Sequence, residues 1–217
     1  MSLLNSVHDE KKTMNQPPKN TPPPAARKTF DDWYQEVPPW DIGRPQSEFI
    51  KLENEGKLKG KILDVGCGTG ENALYLSSQG YEVWGIDFSP TAITKALEKA
   101  KNRNLAAHFQ VADALKLTDL QQTFDCIIDS GLFHCFSDEE RPIFVNQLSK
   151  TLTPNGNYYF LCFSDKEVRE GGPRRVSYQE ITSTFSEGWS LDSVQEVIFE
   201  NTLHDGGSQG FLVSIKK

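Results

Sequence analysis

The 217-residue sequence has only four cysteines, Cys67, Cys126, Cys135 and Cys162, standing 59, 9 and 27 positions apart. None forms a CxxC pair and three lie in or beside apolar runs, so no metal site or disulfide framework is expected, and buried reduced thiols are the reading. Nowhere do 18 apolar residues follow one another, which speaks against a membrane-spanning helix. Residues 1 to 20 also lack the continuous apolar stretch of a secretory signal, and a cytoplasmic protein is the expectation. Positive charge is in short supply: 23 Lys and Arg against 30 Asp and Glu give −7. The first 28 residues hold +3 of that balance and five of the twelve prolines, with few large apolar side chains, and read as a disordered tail. Removing this +3 leaves −10 for residues 29 to 217, which argues against a broad phosphate-binding face and against nucleic acid as a substrate.

What is present is a regular alternation. Phe30, Trp33, Tyr34 and Val37 at helical spacing predict a helix before Pro38-Pro39, and Pro45 opens a second with Phe49, Ile50 and Leu52 on one side. Strands are then expected at 61–65, 82–86, 108–111, 124–129 and 157–163, with helices at 72–78, 90–102 and about 138–152. Ser89 is the N-cap and Pro90 the first turn of the best marked helix, whose face is Ala92, Ile93, Ala96, Leu97 and Ala100. Such alternation implies an α/β fold, a Rossmann-like open sheet of mostly parallel strands with helices on both faces. A helix at 178–185 and two strands at 189–199 and 210–215 around a Gly-rich turn predict a closing antiparallel pair. The domain expectation is one folded unit over 29–217, with 29–56 as a helical lid.

In such a sheet, ligands sit at the carboxyl ends of the strands. The stretch LDVGCGTG, Leu63 to Gly70, would be the first of these ends. Its Gly66, Gly68 and Gly70 give GxGxG, and Glu71 stands where a dinucleotide fingerprint needs its third glycine. With Asp64 before the loop and Glu71 after it, a pyrophosphate would meet two carboxylates, so the expectation is a cationic ligand without phosphate. S-adenosylmethionine has that character. Asp87 ends the second strand in GIDFSP, 17 residues after Gly70, close to the spacing at which an acid grips ribose hydroxyls. Asp113, after the third strand, is placed to accept from the adenine amino group.

LDVGCGTG, GIDFSP, ADA and FDCIIDSGLFH, in this order, resemble the class I S-adenosylmethionine-dependent methyltransferases. The resemblance implies a cofactor set of Asp64, Gly66, Cys67, Gly68, Gly70, Asp87, Phe88, Asp113, Ala114, Asp129 and Ser130, with S-adenosylhomocysteine as product. The (N/D/S)PP(Y/F) sequence common in DNA and protein amide methylating members is absent, and Glu139-Glu140 is not set in a paired-glutamate loop. PPWDIGRPQ and DSGLFH are similar to the small-molecule branch containing thiopurine, thiol, tellurite and heterocyclic-toxin methyltransferases. That likeness puts Trp40 over the cofactor, and Trp33, Tyr34, Arg44, Phe133, His134 and Phe136 around the acceptor. His134 is the candidate base or orienting group, with Asp129 as its catalytic neighbour. Arg169 to Ser177 reads as a flap. The expected partner is a small-molecule acceptor, on a monomer or weak homo-oligomer with no metal. An NAD-dependent oxidoreductase and a non-catalytic cofactor-binding module are the alternatives.

Overall fold

A computed structural model describes residues 26–217, with side chains from Phe30 onward. The expectation for residues 1 to 25 lies outside the described residues. The chain forms α1 (Ala26–Trp33), α2 (Ser47–Asn54), β1 (Lys61–Val65), α3 (Glu71–Ser78), β2 (Glu82–Asp87), α4 (Pro90–Arg103), β3 (His108–Val111), β4 (Phe124–Ser130), α5 (Glu140–Thr151), β5 (Leu152–Phe163), α6 (Tyr178–Thr184), β6 (Ser190–Phe199) and β7 (Ser208–Lys216). Two 3-10 helices, Ala114–Leu120 and Phe133–Cys135, follow β3 and β4.

The seven strands form one sheet in the order β3-β2-β1-β4-β5-β7-β6. β1 to β5 pair in parallel, and β7 runs antiparallel to both β5 and β6. The α/β class and the closing antiparallel pair follow the expectation. Alternation along the strands feeds two cores: Leu63, Val65, Ile127 and Phe160 point to one, and Ile62, Cys126, Ile128 and Leu161 to the other. All four cysteines are free, and only Cys135 is not fully buried. Among the described residues no helix is long and apolar enough to cross a membrane.

Local sequence sets the ends of the elements. Ser89 Oγ accepts the Ala92 N–H at 3.0 Å, Pro90 occupies the first turn, and Asn104 ends α4 in a left-handed conformation. Of its expected apolar face only Leu97 departs, standing 48% exposed. α1 begins at Ala26 and ends at Trp33, four residues ahead of the expected helix, so residues 26 to 28, expected in the disordered tail, are helical. Tyr34, Gln35 and Glu36 bond back three residues in turns, because the chain must leave the α conformation before Pro38-Pro39. β5 begins at Leu152, five residues early: Pro154-Asn155-Gly156, which falls between the expected helix and strand, forms an irregularity inside the strand with Asn155 at φ +64°.

Candidate active site

β2 and β3 lie to one side of β1, and β4 and β5 to the other, so the strand order reverses between β1 and β4. A crevice must open there at the carboxyl ends. A cleft of about 500 Å³ fills it, walled by Gly66 after β1, Asp87 at the end of β2, Asp113 after β3 and Ser130 at the end of β4. Asp87 is half-buried. Its Oδ2 accepts the Gly68 N–H at 2.9 Å and its Oδ1 the Ser89 N–H at 2.8 Å, while burial pushes its pKa above the ordinary carboxylate value. Asp113 lines the cleft and also accepts the Leu115 N–H at 2.9 Å, capping the 3-10 helix that starts at Ala114. Phe88 and Ala114 complete this end.

The segment before α2 closes the cleft from above. Trp33, Tyr34 and Trp40 all line it, and the Trp40 indole N–H donates to the Tyr34 hydroxyl at 2.9 Å. The Trp40 ring lies 5.7 Å from Trp33 and 6.1 Å from Tyr34, centroid to centroid. Lys95 of α4 fixes this segment by donating to the Tyr34 carbonyl at 2.5 Å.

His134 and Phe136 line the opposite end. β5 outruns β4, which stops at the Ser130–Leu161 pair, so the Phe163 N–H has no strand partner on that side and donates to Nδ1 of His134 at 3.1 Å. Burial drives the His134 pKa down to about 3, aided by the Arg141 and Arg175 charges.

Several expected residues stand elsewhere. Asp64 lies wholly buried beneath the glycine loop; Oδ2 accepts the Ala73 N–H at 3.2 Å, and Oδ1 has no partner among the described residues. Burial, then the Asp129 charge, raises its pKa to about 8. Glu71 is taken by Arg103 through two bonds of 2.8 and 2.9 Å and by Lys99 at 2.8 Å. The expected pair of charges repelling phosphate is therefore not presented to the cleft: one is buried beneath the loop and the other is paired with two cations. Cys67 is buried behind the loop, with its N–H on the Ile86 carbonyl, and Gly70 turns the chain into α3 at φ +85°.

Asp129 is fully buried outside the cleft wall. Its oxygens accept from Leu132 N–H at 2.6 Å, Phe133 N–H at 2.9 Å and the Tyr158 hydroxyl at 2.8 Å, so it holds the turn after β4 instead of meeting a ligand. Phe133 is core, stacked 4.6 Å from Phe160, because the 3-10 turn points it inward as it points His134 toward the cleft. Arg44 makes a two-pronged bond to Glu200 at 2.9 and 3.0 Å and does not reach the cleft. Phe163, Phe199, Asn201 and Leu203 do line it, unexpected from sequence. The signal was available in the topology: an antiparallel pair after β5 returns the end of β6 to the same sheet edge as β4 and β5. Gly172, Pro173 and Arg174 of the expected flap also stand in the wall. A second, wider groove of about 850 Å³ runs between α5 and α6, with Arg174 in its wall paired to Asp138 and Glu180.

Residues 62–156 match the family model described as a methyltransferase domain. The chain is 37% identical over 180 residues to a 2-heptyl-1-hydroxyquinolin-4(1H)-one methyltransferase of Mycobacteroides abscessus, covering 80% of this chain and 79% of that protein. A solved structure described as "Conversion of a Disulfide Bond into a Thioacetal Group during Echinomycin Biosynthesis" superposes with a TM-score of 0.81 at 33% identity, over 88% of this chain and 91% of that one. The fold is shared as well by the magnesium protoporphyrin IX methyltransferase of Synechocystis PCC 6803 with bound S-adenosylmethionine, at a TM-score of 0.62, 18% identity, and 79% and 76% coverage. On that identity and coverage the chain belongs to the S-adenosylmethionine-dependent methyltransferases.

Proposed function

We propose that this methyltransferase acts on a small-molecule nucleophile, an oxygen, nitrogen or sulfur of a heterocycle or thiol. The observation that carries the reading is the acceptor end of the cleft. Phe163, Phe199, Leu203 and Phe136 make it apolar, α1 and the 169–177 flap roof it, and about 500 Å³ leaves room for a cofactor and a small ring but not for a polymer. The similarity to a hydroxyquinolone methyltransferase supports the same class.

The residues present fit S-adenosylmethionine. Asp87, already held by two backbone N–H groups, offers its remaining lone pairs to ribose hydroxyls. Asp113 lines the same cleft and is read as the acceptor for the adenine amino group, and Gly66 gives clearance where a Cβ would come within 3.0 Å of Leu132. The unpartnered Oδ1 of Asp64 lacks what an ammonium group supplies. When bound, the cofactor offers a methyl group on a sulfonium, a good leaving group, so positioning and exclusion of water do much of the work. Trp40 and Tyr34 supply that roof over residues 29–56, which we read as a lid on a single catalytic domain. With −7 on the chain, a cytoplasmic enzyme without a nucleic-acid substrate, as monomer or weak homo-oligomer, completes the reading.

Calorimetry with S-adenosylhomocysteine, followed by mass spectrometry of 2-heptyl-1-hydroxyquinolin-4(1H)-one and thiophenol after incubation with S-adenosylmethionine, tests this. Expected are binding and a gain of one methyl group. Failure to methylate any heteroaromatic hydroxyl, ring nitrogen or thiol sinks the acceptor class.

A further inference from the structure

The acceptor end holds a histidine whose proton is already placed. A neutral imidazole has one donor and one acceptor nitrogen. Nδ1 of His134 accepts the Phe163 N–H at 3.1 Å, so Nε2 carries the hydrogen. Nε2 has no hydrogen-bond partner among the described residues, and it lies beside Gly131 in the cleft wall, where a Cβ on that glycine would meet it at 3.3 Å. To act as a base, Nε2 would have to give up its hydrogen and Nδ1 take one, setting two donors face to face and orphaning a buried amide.

No other group in the wall replaces it. The Tyr34 hydroxyl receives the Trp40 indole N–H, and burial holds its pKa well above the ordinary phenol value. Cys135 gives its thiol hydrogen to the Gly131 carbonyl at 3.3 Å, and burial pushes it up to about 12. The Glu140 carboxylate accepts the Ser137 N–H at 3.1 Å. Positive charge gathers behind His134. Arg141 of α5, paired to Glu180 at 3.2 Å, and Arg175 of the flap both act on it, and Arg174 stands in the wall with Asp138 and the same Glu180 as partners. Arg175 is held by the carbonyls of Glu167, Pro173 and Arg169, while the Glu167 carboxylate itself is taken by Arg169. The remaining carboxylates are Asp129 beneath the turn, Asp64 under the glycine loop, and Asp87 and Asp113 at the far end.

We propose that the methyl acceptor is bound as its anion, a deprotonated oxygen or sulfur, and that the Nε2–H of His134 is the donor that holds it. The proton is lost to water on binding, so His134 is never the base. In the transfer, the acceptor's lone pair forms the bond to the methyl carbon as the carbon–sulfur bond breaks, sulfur keeps that pair, and the two charges cancel with no proton released. Acidic acceptors, such as N-hydroxy heterocycles and aryl thiols, are therefore preferred over alcohols and amines.

The inference rests on the small-molecule reading above, and the test separates the two. Absorbance spectra of 1-hydroxyquinolin-4(1H)-one and 4-nitrothiophenol are recorded with the protein and S-adenosylhomocysteine across pH. Expected is the anion's spectrum for bound probe one unit below its free pKa, a downward shift of about 1 to 3 units, as a donor and nearby cations produce. His134→Gln, whose amide can accept from Phe163 and still donate, keeps the shift and turns over faster than His134→Ala, which loses the shift. A probe bound in its neutral form, even if methylated, overturns the inference and leaves the acceptor class standing. So does a loss in His134→Gln of roughly 10²- to 10⁴-fold, the cost of removing a general base. If neither probe binds, the acceptor class and the inference fall together.

Discussion

Nδ1 of His134 accepts the backbone N–H of Phe163 at 3.1 Å, and this one bond fixes both the tautomer of the ring and the end of β5. Long-range proton–nitrogen NMR of the imidazole is expected to show Nε2 protonated and Nδ1 bare throughout pH 5 to 8. The sign of the stability effect follows: the folded pKa, about 3, lies below the unfolded value near 6.5, so the unfolded chain takes up the extra proton between them. Stability is unaffected by this group above pH 6.5 and falls toward pH 3, by up to ~1.4 kcal/mol per pH unit. The difference between the native chain and His134→Gln in denaturant melts at pH 7 and pH 4.5 measures it; an equal difference at both pH values contradicts it.

Asp87 joins the glycine loop to α4 and faces the cleft with the same carboxylate. Asp87→Asn keeps the shape and removes the charge, and is expected to weaken S-adenosylhomocysteine binding by about 1 to 3 kcal/mol, the worth of bonds to a charged acceptor. Asp87→Ala also orphans both the Gly68 and the Ser89 N–H groups, whereas Asp87→Asn keeps an acceptor for one and sets its NH2 against the other, so both should lower the melting temperature, the Ala variant more. Calorimetry and thermal melts of the two variants separate these effects. Equal affinity in all three proteins would remove Asp87 from the site.

Gly68 stands at φ +54°, and a Cβ there would come 2.8 Å from the Tyr34 hydroxyl. Gly68→Ala must displace Tyr34 and with it the Trp40 bond, so cofactor affinity should fall at least about tenfold, ~1.4 kcal/mol. Gly80, at φ +92° with nothing within 4 Å, is the control. Gly80→Ala bears only the left-handed strain of about 1 to 2 kcal/mol in stability and leaves affinity unchanged. Similar affinity losses in both would show that backbone strain alone explains the first.

Most of the sheet is legible because the central strands β1, β2, β4 and β5 are apolar-rich runs and the helices between them are marked by glycine, proline or a cap, all of them local signals. β1 and β3 match residue for residue, and α4 differs by one. The 3-10 helices are not legible, being too short to show a period, and β5 is misread where a turn sequence serves as a strand irregularity. At the site the strand-end positions Asp87, Asp113 and Ser130 come from topology and are readable. The charged misreadings share one cause: Glu71, Arg44 and Asp129 have partners 32, 156 and 29 residues away. A sequence shows which side chains can reach a ligand; it does not show that another side chain has already taken them.

Glu71 is such a case, and its test is one of stability. Burial raises its pKa, but Arg103 and Lys99 outweigh this and leave it below the ordinary value. With a depressed folded pKa, the contribution is complete above the unfolded value near 4.5 and is lost as pH falls through the folded one. Because Arg103 is 44% exposed, screening reduces the worth of the pair to about 1 kcal/mol. Glu71→Gln should therefore be destabilised at pH 7, less so at pH 3 or in 1 M salt, with S-adenosylhomocysteine affinity within about twofold of the native chain. A large affinity loss would return Glu71 to the cofactor site.

Asp31 of α1 reaches the first turn of α4, where Oδ1 accepts from the Ser89 hydroxyl and from the Thr91 N–H at 3.0 Å, and Oδ2 accepts from the Thr91 hydroxyl at 3.2 Å. It thus acts as a remote cap at the positive end of α4, and the Ser89 bond is the main reason its pKa is lowered. Removing a capping group costs about 0.5 to 2 kcal/mol, which spans roughly 2- to 30-fold in an opening equilibrium. If α1 must swing away for the cofactor to leave, Asp31→Ala should raise the S-adenosylhomocysteine dissociation rate by a factor in that range, while Asp87 and the glycine loop stay as they are. The latch weakens in the native chain as well when Asp31 protonates, and because its folded pKa is lowered the two proteins should converge only as pH falls through that lowered value, beneath the ordinary one for aspartate. Stopped-flow displacement, following the fluorescence of Trp33 and Trp40, reads the rate directly. An unchanged rate at pH 7 would mean that the cofactor leaves by another path, under the 169–177 flap.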